Sequence, residues 1–148
     1  MFSTAEDLAK LMRAYLRGGL CDGGARLFGE AEMREIAPSR ASRGDGARTF
    51  GWISAAPDLP ESLFGTSLFH SGFSGQTVLF DRARQRYAIV LTTRCGDYER
   101  AKRERFDVIA ALMLTPEECA SGRMDGSSLR ELGESLRGAR GRETPPAP

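Results

Sequence analysis

The sequence predicts an α+β domain, a small antiparallel sheet flanked by helices, and three observations carry that reading. Leu8, Leu11, Met12 and Tyr15 recur at i, i+3, i+4 and i+7, the spacing of one apolar helix face. Two β-rich runs, 76–80 and 87–93, are separated by a short charged turn, which is the pattern of an antiparallel hairpin. A second amphipathic stretch over 98–114 puts Phe106, Ile109, Ala110 and Met113 on a common face. The 148 residues suit one domain, and a hydrophobic share of 41% is enough to furnish its core.

Each element follows from local chemistry. Ser3-Thr4-Ala5-Glu6 reads as a capping box that starts the first helix with Ser3 as the cap, and Gly18-Gly19 ends it. After a Gly-rich turn at 21–24, a short helix is expected over 30–36, stopping before Pro38. The stretch 38–48 is polar and Gly/Ser-rich, so its Arg43-Gly44-Asp45 tripeptide reads as part of a solvated loop. Residues 49–54 (Thr-Phe-Gly-Trp-Ile-Ser) are expected to form one short strand. A loop with Pro57 and Pro60 leads to Ser67-Leu68-Phe69-His70, then Ser71-Gly72-Phe73-Ser74-Gly75, then the hairpin. The run that opens on Tyr87 and closes on Thr93 is apolar on both faces, as expected of a strand covered on both sides. Pro116 closes the last long helix; residues 115–148 are polar, with a weak helical pattern over 128–136, and are expected to be a poorly ordered tail.

Composition excludes several function classes. Lys and Arg number 21 against 20 Asp and Glu, so no global field draws the chain to nucleic acid. The basic residues at the start of the last long helix (Arg100, Lys102, Arg103, Arg105) read as a solvated face. Cys21, Cys95 and Cys119 are odd in number and widely spaced, and with a single His they form neither a disulfide framework nor a zinc pattern. Three reduced thiols, an acidic helical start and no apolar run near the ~18 residues of a membrane span place the chain, as written, in the cytoplasm.

The densest chemistry lies at His70-Ser71-Gly72-Phe73-Ser74-Gly75, where the only His, two Ser and two of the Gly meet beside a strand. Three readings stand side by side. A serine nucleophile activated by His70 needs the imidazole within reach of the hydroxyl, although neighbouring side chains on a strand point to opposite faces. The other form of that nucleophile, a Gly-X-Ser-X-Gly elbow, needs one more residue than Gly72-Phe73-Ser74-Gly75 has, and a helix after it. The remaining readings are a strand end whose glycines let a ligand approach the backbone, and a tight structural turn with a surface His.

Phe2-Ser3-Thr4-Ala5 with Asp7-Leu8, an isolated Phe50-Gly51-Trp52, and Phe69-His70-Ser71-Gly72-Phe73-Ser74-Gly75-Gln76-Thr77 with Asp81 four residues on occur in that order, followed by a strand and a closing helix. Over roughly residues 2–114 this resembles the C-terminal part of the serine β-lactamase-like family: class C β-lactamases, DD-peptidases and related esterases. The resemblance implies a partial β-lactamase/transpeptidase-like fold over 1–114. It makes His70, Ser71 and Gly72 the family's third motif (Lys-Thr-Gly or His-[Ser/Thr]-Gly), on a strand that borders the active site. It also implies that His70 anchors or polarises substrate, that the Ser71 hydroxyl faces the substrate's carbonyl or carboxylate, and that the Phe73 backbone N–H is an oxyanion-hole donor. No metal or cofactor is implied.

The other two motifs are not in these residues. Three positions before Lys10 and Lys102 stand Asp7 and Glu99, so there is no Ser-X-X-Lys, and without any Asn there is no Tyr-X-Asn. The expectation is therefore a truncated serine hydrolase, inactive alone, whose parent reaction is acyl transfer from an ester, amide or β-lactam to a serine and then to water. The family's N-terminal strands and helix would be missing, which leaves the strand from Tyr87 to Thr93 as an exposed edge with an apolar patch, open to a missing N-terminal half or to self-association. The alternative is a non-catalytic half-domain that acts as an interaction module with a partner chain through that edge. A self-contained enzyme using His70 with Ser71 or Ser74 is the third reading. Members of the family are often exported, so the resemblance leaves the compartment of the parent open.

Overall fold

A computed structural model describes residues 3–36, 48–54, 59–63, 66–93 and 96–121. The Arg43-Gly44-Asp45 tripeptide, Cys95 and the polar stretch from 122 onward lie outside the described residues. In chain order the elements are α1 (Ala5–Leu16), α2 (Glu30–Ile36), β1 (Arg48–Thr49), β2 (Trp52–Ile53), a 3-10 turn (Glu61–Leu63), β3 (Ser67–Ser71), β4 (Thr77–Asp81), β5 (Arg86–Val90), α3 (Tyr98–Met113) and α4 (Pro116–Ser121). The five strands form one antiparallel sheet in the order β1-β2-β3-β4-β5, so the architecture is α+β with helices on a small sheet.

The first helix begins one residue later than its capping box implied. Thr4, not Ser3, is the N-cap, and its hydroxyl accepts from the Asp7 amide. The carboxylate three residues beyond the cap is thus Asp7, whose Oδ2 accepts from the Thr4 hydroxyl at 3.2 Å. The helix ends at Gly18-Gly19 as its sequence requires, and α2 keeps the expected limits.

Residues 49–54 correct the single strand expected there. Arg48↔Ile53 and Thr49↔Trp52 pair as a minimal hairpin, turned by Phe50-Gly51. Gly51 takes φ +81°, a conformation that disfavours any side chain, and this reverses the chain where an alternating pattern alone would continue it.

Two cores sandwich the sheet. On one face Met12 and Tyr15 of α1 and Met33 and Ile36 of α2 cover Trp52, Leu68 and Phe80. There Tyr15 stacks on Phe80 at 4.9 Å, and Trp52 meets both rings edge-on at 5.1 and 4.9 Å. On the other face Phe106, Ile109, Ala110 and Met113 of α3, the four residues that the periodicity groups, cover Phe69, Leu79, Ala88 and Val90. The expectation that β5 presents an uncovered apolar patch is corrected: Tyr87 and Ile89 pack against the α1 core while Ala88 and Val90 are buried under α3. β5 is still the terminal strand of the sheet.

β5 also stops at Val90 rather than at Thr93. The Thr92 hydroxyl donates to the Gly75 carbonyl at 2.7 Å and the Thr92 carbonyl accepts from Gln76 Nε2 at 3.2 Å. These side-chain bonds take the chain out of the ladder. Pro116, read from the sequence as a stop, is also the first residue of α4: with Thr115 before it, the Thr115 hydroxyl and the Glu118 carboxylate exchange bonds with each other's amides at 3.3 and 2.8 Å.

A buried carboxylate ties these parts together. Asp81 ends β4 with no exposed surface. Its Oδ2 accepts from the hydroxyls of Thr66 and Ser67 at 2.8 Å each and from Arg84 Nη1 at 2.8 Å, while Oδ1 accepts from the Arg84 amide at 2.9 Å. Arg84 in turn donates to the Ser62 carbonyl and to Glu118 Oε1, both at 2.9 Å. Burial pushes the Asp81 carboxyl up, but the bonds from the Arg84 amide, Thr66, Ser67 and the Arg84 guanidinium outweigh it and hold the group below its usual value.

A depressed folded-state pKa stabilises the fold above the unfolded-state value of about 4 and ceases to do so as pH falls through the folded-state value. Asp81→Asn should therefore cost about 1.5–3 kcal/mol in urea unfolding at pH 7, the range of hydrogen bonds to a charged group, and the gap to wild type should narrow below pH 4. Phe80→Ala, which empties the aromatic stack, should cost about 3–5 kcal/mol. The fluorescence of Trp52, the single tryptophan, should shift to the red in the same variant.

Candidate active site

β3 and β4 place the residues of the His-Ser-Gly segment. Their register pairs Ser67↔Asp81, Phe69↔Leu79 and Ser71↔Thr77 on the face toward α3, and Leu68↔Phe80 and His70↔Val78 on the face toward α1. The α3 face is thus apolar in its middle and polar at both ends: Ser67 bonds Asp81, and Ser71 Oγ lies 2.8 Å from Thr77 Oγ1. Thr77 is buried and Ser71 half-buried, so the Ser71 hydroxyl sits at the mouth of the layer between sheet and α3.

His70 is exposed and projects from the other face. Adjacent strand positions thereby separate the imidazole from the Ser71 hydroxyl, whose described partner is Thr77. The Ser74 hydroxyl donates to Gln76 Oε1 at 2.8 Å. The structure does not bring His70 together with either serine, so a His-activated serine within this segment is not formed.

The turn after β3 is tied by hydrogen bonds within itself and to the chain leaving β5. The Gly72 amide donates to the Gln76 carbonyl at 2.8 Å and the Gly75 amide to the Gly72 carbonyl at 3.1 Å. Gly75 adopts φ +113°, where a side chain would be strained. Gln76 spans from Ser74 to the Thr92 carbonyl, and Thr92 returns a bond to Gly75, so the turn is latched to the chain leaving β5. A Cβ added at Gly72 would stand 2.8 Å from Gln76 Oε1. Gln76, Thr77 and Thr92 are therefore the supports of this segment, and a sequence reading centred on His, Ser and Gly passes over them. A polar residue directly after Gly75, flanking an otherwise apolar strand, is the signal that would have pointed to Gln76.

Phe73, at the tip of the turn, is 80% exposed. Its ring stacks on Tyr98, the first residue of α3, with centroids 6.4 Å apart and planes 23° from parallel. Asp97 caps α3 by accepting from the Glu99 and Arg100 amides at 2.9 and 3.1 Å, which fixes Tyr98 in place. Among the described residues no three His, Cys, Asp or Glu side chains are grouped to hold a metal, and no helix is long and apolar enough to cross a membrane.

His70-Ser71-Gly72 thus stands at the end of the central strand of a helix-flanked antiparallel sheet. Residues 1–112 match the family model for Beta-lactamase, and the chain belongs to that family. The match runs over nearly the same span as the resemblance read from the motifs. No curated protein and no solved structure matches the chain.

If the latch holds the turn, Gln76→Ala should leave the thermal midpoint within a few degrees while speeding amide hydrogen exchange at Gly72 and Gly75 by about tenfold, because only local opening becomes easier. The same exchange experiment should show little change at Leu79, in the middle of the ladder.

Proposed function

We propose that this chain forms the substrate-holding side of a serine hydrolase site and takes part in acyl transfer from an ester, amide or β-lactam. Ser71 and the Phe73 backbone N–H hold the substrate's carbonyl or carboxylate, Gly72 keeps the strand end open to it, and exposed His70 supplies the basic group at the rim. The observation that carries this reading is the position of Ser71-Gly72 at the open end of the central strand, braced by Thr77 and by the Gln76–Thr92 latch, within a chain that matches the Beta-lactamase family. A hydrogen-bond donor held in advance by a rigid turn pays no reorganisation cost when charge develops on the carbonyl oxygen.

The covalent step needs a serine made nucleophilic by a base. The 148 residues hold no Ser-X-X-Lys and no Asn for a Tyr-X-Asn, and His70 and Ser71 lie on opposite faces. The chain is accordingly one part of a hydrolase, inactive alone, and chemistry requires those two motifs from sequence outside these residues, in the same polypeptide or in another. The terminal position of β5 favours a second reading, a non-catalytic half-domain that adds a partner's strand to its sheet.

Light scattering together with p-nitrophenyl ester turnover and fluorescent-penicillin labelling tests both. The expected result is neither turnover nor label from the 148-residue chain. Turnover that disappears in Ser71→Ala, Ser74→Ala or His70→Ala would overturn the proposal and make the chain an enzyme by itself. When a polypeptide that also carries Ser-X-X-Lys and Tyr-X-Asn is assayed, Ser71→Ala should lower kcat/KM by at least tenfold. A chain that captures a partner while Ser71→Ala changes no activity in any assembly favours the second reading.

A further inference from the structure

Arg105 is a cation that the described residues bury and do not answer. It is 7% exposed, and its Nε is buried with no hydrogen-bond partner. Its described electrostatic contact is the face of its neighbour Phe106, whose ring centroid lies 5.8 Å from the guanidinium carbon. A ring offsets only part of what it costs to take a guanidinium out of water, and a carboxylate is the group that completes the balance. α3 itself has none to offer. The positions three and four residues away, which share a helix face with Arg105, are Ala101, Lys102, Val108 and Ile109. Glu104 is bound to Arg100 at 2.8 Å, and Asp107, two residues on, lies on the far side of the helix.

The position of Arg105 in the fold fixes where the anion comes from. α3 packs chiefly on β5, and Phe106 leans toward β3, where it meets Phe69 edge-on at 5.7 Å. Arg105 is one step of about 100° back around the helix. It therefore lies on the opposite flank, above the side of β5 on which the described sheet has no further strand. Ala101, Val108 and Leu112 share that flank at helical spacing. Val108 is half-buried and Leu112 is 43% exposed. The flank is thus an apolar seam with one cation at its centre.

We infer that this seam is a docking surface for a partner polypeptide and that Arg105 selects the partner, an amphipathic segment whose apolar face carries one carboxylate. The inference rests on the reading that the chain is one part of a larger assembly. A second copy docked flank to flank does not meet the requirement, because it brings a second Arg105 and no carboxylate. A free anion would answer the charge but leave Ala101, Val108 and Leu112 uncovered. A carboxylate–guanidinium pair held away from water joins charge to fixed geometry, so an uncharged or basic segment of the same shape is rejected.

Fluorescence anisotropy on the 148-residue chain tests this with labelled amphipathic peptides as long as α3, each with one Glu, Gln or Lys at the centre of a Leu/Ala face. The Glu peptide is expected to bind at least tenfold tighter than the Lys peptide, with the Gln peptide between them. Arg105→Glu should reverse that order, and Leu112→Ala should weaken all three about equally. Urea unfolding of the chain alone gives an independent readout: Arg105→Met should hold or raise the midpoint, since it removes a buried charge that nothing in the chain answers. The inference is overturned if Arg105→Met lowers the midpoint, if the three peptides bind alike or not at all, or if Arg105→Glu keeps the wild-type order. It is also overturned if acetate binds as tightly as the Glu peptide, which would make this a free-anion site, or if light scattering shows a dimer that Leu112→Ala dissociates. Ser71→Ala, which should leave peptide affinity unchanged, separates this surface from the hydrolase reading. Peptide selection by Arg105, with no effect of Ser71→Ala on kcat/KM in any assembly, keeps the surface and removes the role of Ser71; loss of activity in Ser71→Ala without peptide selection does the reverse.

Discussion

A carboxylate with no exposed surface has to be answered by hydrogen bonds, and Asp81 recruits them from four directions. Thr66 and Ser67 come from the start of β3, the Arg84 amide and guanidinium from the β4–β5 turn, and through Arg84 the carboxylate reaches the Ser62 carbonyl and Glu118 of α4. The arrangement permits one strand register. A one-residue slip of β3 on β4 would carry Asp81 away from Ser67 and turn apolar Phe69 and Leu79 to mismatched faces. With Ser67 opposite Asp81, the ladder must bring Ser71 opposite Thr77 and start the turn at Gly72. The geometry at the candidate site is thus set some four residues away, at the other end of the same two strands.

The helices complete what the sheet cannot do by itself. Five short strands, two of them only two residues long, bury little alone, and both faces need a cover. α1 and α3 supply it from opposite ends of the chain, so the core is closed by long-range contacts. The aromatic stack of Tyr15, Trp52 and Phe80 joins α1 to β2 and β4, while α3 packs chiefly on β5. β5 is consequently covered on both faces yet still terminal in the sheet, a combination that leaves backbone groups, rather than apolar surface, as what a further strand would meet.

At the candidate site, local rules explain the components and tertiary contacts explain how they are held. Strand alternation alone separates His70 from Ser71, and that was legible without coordinates. The Gln76–Thr92 latch was not, because Thr92 reads as the continuation of a β-branched strand and only the approach of the Gly75 carbonyl diverts it. Tyr98 likewise reads as the start of a helix; its contact with Phe73 depends on how α3 is laid across the sheet. The hairpin at Phe50-Gly51 lay within reach of the sequence, since glycine after an aromatic residue in an otherwise β-rich run is a turn signal.

What the sequence determined by itself is whatever depends on neighbours a few residues apart: the helical face of Phe106, Ile109, Ala110 and Met113, the extent of α2, the alternation along β3, and the order of motifs that marks the family. Periodicity, capping and turn chemistry act at that range. Tertiary structure alone decided which face of β5 each helix covers, where β5 leaves the ladder, and that Arg84 reaches Glu118 of α4. It also decided that Tyr98 of α3 stacks on Phe73 in the turn after β3. These outcomes pair groups from 16 to nearly 80 residues apart, and no local preference encodes which distant partner will satisfy a carboxylate, a carbonyl or a ring.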